Sequence, residues 1–270
     1  MKIGSKNFDT DNNTYIMGIL NITPDSFYDG GRWNNTASAI SHTETMISEG
    51  ADIIDIGGES TRPGYTQITP EEEISRILPV IREIKKNFDI PVSVDTYKPD
   101  VAKAALDAGA DLINDIWGLK YDPEMAKVIA RYDVPCCLMH NKSEPVYDDF
   151  IHDMTMELFG SIAIGLSAGI DDDKIIIDPG VGFGKTYEMN LSVLAHLRHF
   201  KSLGYPVLLG CSGKSVIGNT LDLPKDERLE GTLVTTVMAV QSGCAFVRVH
   251  NIKENVRAVK MTKAILGAKL

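Results

Sequence analysis

The sequence has little cysteine, four residues in 270, and no stretch near the roughly 20 uninterrupted apolar residues that a membrane-crossing helix needs. Cys136 and Cys137 are adjacent, and Cys211 and Cys244 lie in apolar runs. That usage suits reduced core thiols in the cytoplasm, not the disulfide framework of a secreted domain. Residues 1–14 are polar and lack the apolar centre of a signal peptide, so neither export nor membrane insertion is expected. Positive charge is also scarce: 27 Lys and Arg stand against 37 Asp and Glu, a net charge of −10. Nucleic-acid binding needs clustered cations that release counterions, so no nucleic-acid partner is expected. Linkers, repeats and low-complexity segments are absent as well, which leaves one conventional soluble core.

What is present is a regular alternation. Short apolar runs at 15–20, 52–56, 91–95, 111–115, 135–139, 175–178, 206–210 and 245–249 are each followed by an amphipathic stretch. Continuous apolar strands separated by helices mark a parallel sheet buried on both faces. Eight β/α rounds with nothing left over point to an α/β fold, a single-domain (β/α)8 TIM barrel spanning 1–270, with 1–14 as an N-terminal extension or edge segment. An open doubly wound sheet is the main alternative. The clearest helix is 70–87, with Pro70 in its first turn, Glu71, Glu72 and Glu73 at the positive end of its dipole, and Ile74, Ile77, Leu78, Ile81 and Ile84 on one face. Glycine turns at Gly50, Gly109, Gly204 and Gly243 lead from helices back into strands, while the opposite loops, 21–33 and 59–69, are rich in reactive residue types.

Those loops hold the candidate chemistry. Asn21-Ile-Thr-Pro-Asp-Ser-Phe27 offers the oxygen ligands that suit Mg²⁺ bound partly through phosphates, and reads equally as a polar turn. Glu59-Ser-Thr61-Arg62-Pro63-Gly64 pairs hydroxyls with a guanidinium, either an anion clamp or a solvated loop. Asp95, the pair Asn114-Asp115, and Asp178 end three different strands, where side chains converge on a barrel mouth. Carboxylates there can accept paired N–H bonds from an aminopyrimidine edge, although Asp115 and Thr96 read as well as local caps. Lys214, Arg248 and His250 add cations, the last two on one strand face. Three tempting motifs fail. Gly213-Lys214-Ser215 lacks the P-loop glycine, because Leu208 stands there. Gly180-Val-Gly182-Phe183-Gly184 lacks dinucleotide spacing. Cys136 and Cys137 point to opposite strand faces and cannot share a zinc ion with His140.

Together, Asn21-Ile-Thr-Pro-Asp-Ser-Phe27, Gly58-Glu-Ser-Thr-Arg-Pro-Gly64, Asp95-Thr96, Asn114-Asp115, Asp178-Pro-Gly180, Phe183-Gly-Lys185, Gly213-Lys214-Ser215 and Arg248-Val-His250 resemble the dihydropteroate synthase family from about residue 15 onward. The resemblance implies a transferase that joins 6-hydroxymethyl-7,8-dihydropterin pyrophosphate to p-aminobenzoate in folate biosynthesis, a sulfonamide target, a homodimer and Mg²⁺ as cofactor. It implies Asp95, Asn114, Asp178 and Lys214 on the pterin, with Met139 and Phe183 at its ring faces or the neighbouring arylamine. Thr61, Arg62, Arg248 and His250 would hold the pyrophosphate, Asn21 the metal, and Phe27, Pro63 and Ser215 the p-aminobenzoate. The expected catalytic groups are Asp95, Lys214, Arg248 and His250. One position departs from the family pattern: Gly213 stands where an Arg is usual. Two rivals remain at this stage, a pterin-binding methyltransferase domain serving a corrinoid protein, whose first two loops differ from these, and a non-catalytic pterin-binding relative.

Overall fold

A computed structural model describes residues 1–22, 32–59 and 66–268. A short antiparallel hairpin, β1 (Lys2–Ile3) and β2 (Lys6–Asn7), precedes the barrel strands. These are β3 (Tyr15–Asn21), β4 (Ile53–Gly57), β5 (Val92–Asp95), β6 (Leu112–Asp115), β7 (Cys136–Met139), β8 (Ile175–Asp178), β9 (Leu208–Leu209) and β10 (Phe246–Val249). They pair in parallel in the order β8-β7-β6-β5-β4-β3-β10-β9. A parallel bridge between Ile177 and Val207 joins the two ends, with Ile177 N donating to Pro206 O at 2.9 Å. The (β/α)8 barrel therefore replaces the open-sheet alternative. The eight expected strands all form within one or two residues of their predicted bounds. The seventh is shortest, in keeping with a leading Pro206 that has no N–H to give the ladder.

The helices are α1 (Arg32–Glu49), α2 (Pro70–Asn87), α3 (Pro99–Asp107), α4 (Glu124–Tyr132), α5 (Phe150–Ala168), α6 (Tyr187–Ala195), α7 (Leu197–Lys201), α8 (Ser215–Leu221), α9 (Leu229–Gln241) and α10 (Ile252–Leu266). Helix α2 has the predicted bounds. Thr69 caps it by accepting from Glu72 N at 3.2 Å, and it buries Ile77, Val80, Ile81 and Ile84. The sixth round is split at His196 into α6 and α7, and the seventh has the short α8 in its loop before α9.

Strand alternation sorts the core into two layers. Outward residues such as Ile16, Ile54, Val92, Ile113, Cys136 and Ile177 pack under the helices. Inward residues Met17, Ile53, Leu112, Cys137, Ile176, Leu208 and Phe246 fill the lower interior. Residues 1–14 lie beneath that floor: Ile3 and Phe8 are buried against it, and the Phe8 ring stands edge-on to Tyr15 at 4.8 Å between centroids. Cys136 and Cys137 thus face different layers, as the zinc argument required.

Candidate active site at the barrel mouth

Two residues further along the same inward rows the chemistry changes sign, from hydrocarbon to charge. Register places Asn21 beside Gly57, Gly57 beside Asp95, and Asp95 beside Asn114 across four adjacent strands. Gly57 leaves the space between its neighbours open: an added Cβ would sit 3.7 Å from Asn21 Oδ1 and 3.8 Å from Asp95 Cβ. On the opposite wall Gly210 plays the same part. A Cβ there would lie 3.6 Å from Asp178 Oδ2, 3.9 Å from Lys214 Nζ and 4.0 Å from Arg248 Cβ. The sequence-predicted Asp95, Asn114, Asp178, Lys214 and Arg248 are thereby brought to one cavity floor.

At its centre Arg248 donates from Nη2 to Asp95 Oδ2 at 2.7 Å and from Nε to Asp55 Oδ2 at 2.5 Å. Burial opposes charge on this guanidinium, but the two carboxylates hold its pKa above the ordinary value. Burial also raises Asp95 to about 7, with Arg248 pulling it back and Asp55 pushing it further up. Asp95 Oδ1 is buried with no hydrogen-bond partner among the described residues, an acceptor open to a donor. Asp178, raised by burial, accepts Gly180 N at 2.7 Å. Lys214, lowered by burial, donates to Val181 O at 2.5 Å and lies 4.7 Å above the Phe183 ring. Met139 is buried in a small cluster with Tyr97 and Ile116, and Phe183 packs against it.

Asp55 and Ser93 were not anticipated. Asp55 is fully buried, accepts Ser93 Oγ at 2.5 Å, and lies 3.4 Å from Asn114 Nδ2. It therefore orients two predicted site residues, Arg248 and Asn114. The signal was a carboxylate inside the apolar run Ile53-Ile54-Asp55-Ile56, on the inward parity shared with Gly57.

Other residues fall further out. His250 follows the end of β10 and is exposed, with Nδ1 3.0 Å from Ser212 Oγ. Ser215 is the exposed first residue of α8. Asp115 and Thr96 serve their local readings: Asp115 accepts Trp117 N and Leu119 N at 2.8 and 2.7 Å, and Thr96 Oγ1 accepts Lys98 N at 3.3 Å. Glu59 accepts from Lys98 Nζ at 2.5 Å, Tyr97 Oη at 2.7 Å and Ile68 N at 3.0 Å, tying the start of α2 to β4. Phe27, Thr61, Arg62 and Pro63 lie outside the described residues. Gly213 takes φ +63°, its N–H donates to Thr232 Oγ1 at 3.1 Å, and an added Cβ would meet nothing within 4 Å.

Among the described residues no group of three His, Cys, Asp or Glu side chains is placed to hold a metal ion. The donor Asn21 contributes is a single amide oxygen. That fits an Mg²⁺ ion carried mainly by phosphate oxygens and water better than a protein cage.

A barrel whose mouth gathers carboxylates, an amide and two cations around an open floor is built to grip a polar heterocycle, and comparison with known proteins agrees. The model of the pterin-binding enzymes matches residues 17–250, and the chain belongs to that family. Within it, the chain is a member of the dihydropteroate synthases, which are transferases. A dihydropteroate synthase from Clostridium beijerinckii is 57% identical over 267 residues, covering 98% of this chain and 99% of the relative. The structure of the Clostridium difficile synthase, determined in the presence of pteroic acid, superposes with a TM-score of 0.94 at 51% identity, covering 96% of this chain and 99% of that one. The Xanthomonas albilineans synthase with 4-aminobenzoic acid gives a TM-score of 0.92 at 40% identity, covering 96% and 95%.

Proposed function

We propose that the chain condenses 6-hydroxymethyl-7,8-dihydropterin pyrophosphate with p-aminobenzoate, releasing 7,8-dihydropteroate and pyrophosphate. The observation that carries this reading is the unpartnered, buried Asp95 Oδ1 within a floor of Asn114, Asp178 and Lys214. A pterin's amino-pyrimidine N–H groups satisfy such acceptors, and the Lys214 ammonium satisfies a ring oxygen or nitrogen. Met139 and Phe183 line the ring faces. In the reaction the bond from the methylene carbon to the pyrophosphate oxygen breaks, the arylamine nitrogen bonds to that carbon, and the amine loses a proton. Ionised Asp95 stabilises the cationic methylene, while Arg248, His250, Thr61 and Arg62 receive the departing pyrophosphate.

Mg²⁺ would supply further charge neutralisation on that leaving group, with Asn21 as its protein ligand. Phe27, Pro63 and Ser215 enclose the p-aminobenzoate, where sulfonamides compete. Residues 1–270 act as one domain. A homodimer is supported by exposed apolar side chains on the neighbouring helices α9 and α10, including Val234, Met261 and Ile265. Four free, buried thiols support a cytoplasmic setting. No helix among the described residues is long and apolar enough to cross a membrane, and the acidic balance supports small-molecule partners without nucleic acid.

Incubating the purified chain with both substrates and Mg²⁺ tests the proposal. Equimolar pyrophosphate and dihydropteroate are expected. Pyrophosphate release independent of p-aminobenzoate would refute condensation.

A further inference from the structure

The loop after β8 carries Phe183 and ends at Lys185, a motif residue to which the reaction above assigns no role. Lys185 Nζ lies within 2.9 Å of Gly180 O, 2.8 Å of Phe183 O and 3.0 Å of His140 Nδ1. With His140 O a more distant fourth acceptor at 3.5 Å, the loop is wrapped around its own terminal lysine and tied to the residue after β7. Burial pulls Lys185 down to about 7, with Asp178 and Glu157 opposing.

His140 is fully buried, and burial lowers its pKa to about 2, so its ring is neutral. With Nδ1 accepting from Lys185, the ring proton belongs on Nε2, which lies 3.2 Å from Glu157 Oε2 but makes no hydrogen bond among the described residues. Glu157 on α5 is held in turn by Lys142 Nζ at 2.9 Å. The backbones of the two loops touch in a manner only glycine permits. A Cβ on Gly180, at φ +69°, would lie 2.0 Å from His140 O, and one on Gly184, at φ +55°, would lie 2.3 Å from Lys142 O.

The same loop supports the pterin-gripping cation. Lys214 Nζ donates to Val181 O and stands over the Phe183 ring. Neither Lys185 nor His140 needs to touch substrate to matter, because the groups they fix do.

We infer that Lys185 and His140 form a positioning pair for the reaction: they lock the 180–185 loop onto the β7 end and so set the Phe183 ring and the Lys214 ammonium against the pterin. The inference rests on the reaction proposed above. Two readouts test it. Hydrogen exchange of the 179–186 peptide, read by mass spectrometry, should be at least about tenfold faster in Lys185→Met while the barrel strands keep their protection. In steady-state kinetics Lys185→Met should lower kcat/KM by between about tenfold and 100-fold, as misplacement of reactive groups does. The double variant Lys185→Met/Lys214→Met should lose clearly less than the product of the two single losses, because the lysine acts in part through that partner.

His140→Leu, which removes the imidazole acceptor while leaving Lys185 and the His140 carbonyl in place, guards against a misfolded first variant and should shift both readouts in the same direction. Unchanged exchange, unchanged kcat/KM, or losses that simply multiply in the double variant would overturn the pair. A wild-type chain that forms no dihydropteroate would overturn the reaction and the inference together. A competent wild type with an unaffected Lys185→Met would overturn the inference alone.

Discussion

The lower and upper halves of the barrel interior are made by the same strands with the same inward parity, and they differ almost completely in chemistry. Met17, Ile53, Leu112, Cys137, Ile176, Leu208 and Phe246 below are hydrocarbon and sulfur. Asp55, Asp95, Asn114, Asp178 and Arg248 above are charged or polar and nearly as buried. A buried charge costs several kcal/mol unless it is paired, so the upper half is stable only as a network, whereas each residue below contributes by itself. The comparison teaches where the chain stores stability and where it holds chemistry at the expense of stability.

The comparison is broken most severely at Asp95. Asp95→Asn should lower turnover by about 10³-fold, a loss of the size seen when one group that stabilises developing charge is removed. Its melting temperature should change little, since the amide oxygen still accepts from Arg248 and Asp55 keeps that guanidinium paired. Turnover near the wild-type value would remove Asp95 from the chemistry. The same group sets a pH dependence. Burial raises its pKa to about 7, so the folded state keeps the proton that the unfolded chain releases at about 4. Its ionisation therefore takes stability away as pH climbs from about 4 toward about 7, while turnover increases over the upper part of that range. A rate profile without a rise near neutrality would contradict the role given to the carboxylate.

The lower half answers differently. Phe246→Ala should destabilise the fold by about 3–5 kcal/mol through the cavity it leaves, with KM for both substrates unchanged at temperatures where it stays folded. Denaturant midpoints and kinetics measured side by side would show whether the halves are separable; a large KM change would mean they are not. Asp55→Asn sits between them. It keeps an acceptor for Ser93 but weakens the hold on Arg248, and should reduce kcat/KM about tenfold, in line with other supporting residues of reactive sites. An effect on stability alone would place Asp55 with the lower half. The smallest effect belongs to Gly213→Arg. The open space admits a side chain but positive φ strains it, and a solvent-screened cation near the arylamine carboxylate would lower KM for p-aminobenzoate by roughly two- to fivefold. Unchanged kinetic constants would make the position silent.

The fold was legible because its signals are local and repeated. Eight apolar runs, glycine turns such as Gly50 and Gly109 at φ +103° and +102°, and a capped amphipathic helix at 70–87 each point to the same architecture. The convergence of Asp95, Asn114 and Asp178 was legible for a related reason: strand ends in a parallel barrel face its mouth. Asp55 was not, since a mid-strand carboxylate becomes meaningful only when register brings it under Arg248 from the far end of the chain. His250 shows the opposite limit. It lies one residue past the end of β10 at Val249, and its contact with Ser212 comes from a different loop that strand alternation does not name. The roles of Lys185 and His140 were equally hidden, because they depend on two loops touching backbone to backbone.

Adjacent Cys136 and Cys137 carry one more consequence. Both are fully buried, and burial raises both thiol pKa values, so neither should react with a thiol reagent in the native state. One faces the helical jacket and the other the barrel lumen. Timed alkylation followed by peptide mapping would thus record, from neighbouring atoms of one strand, whether the jacket peels away before the lumen floods or both open in a single event.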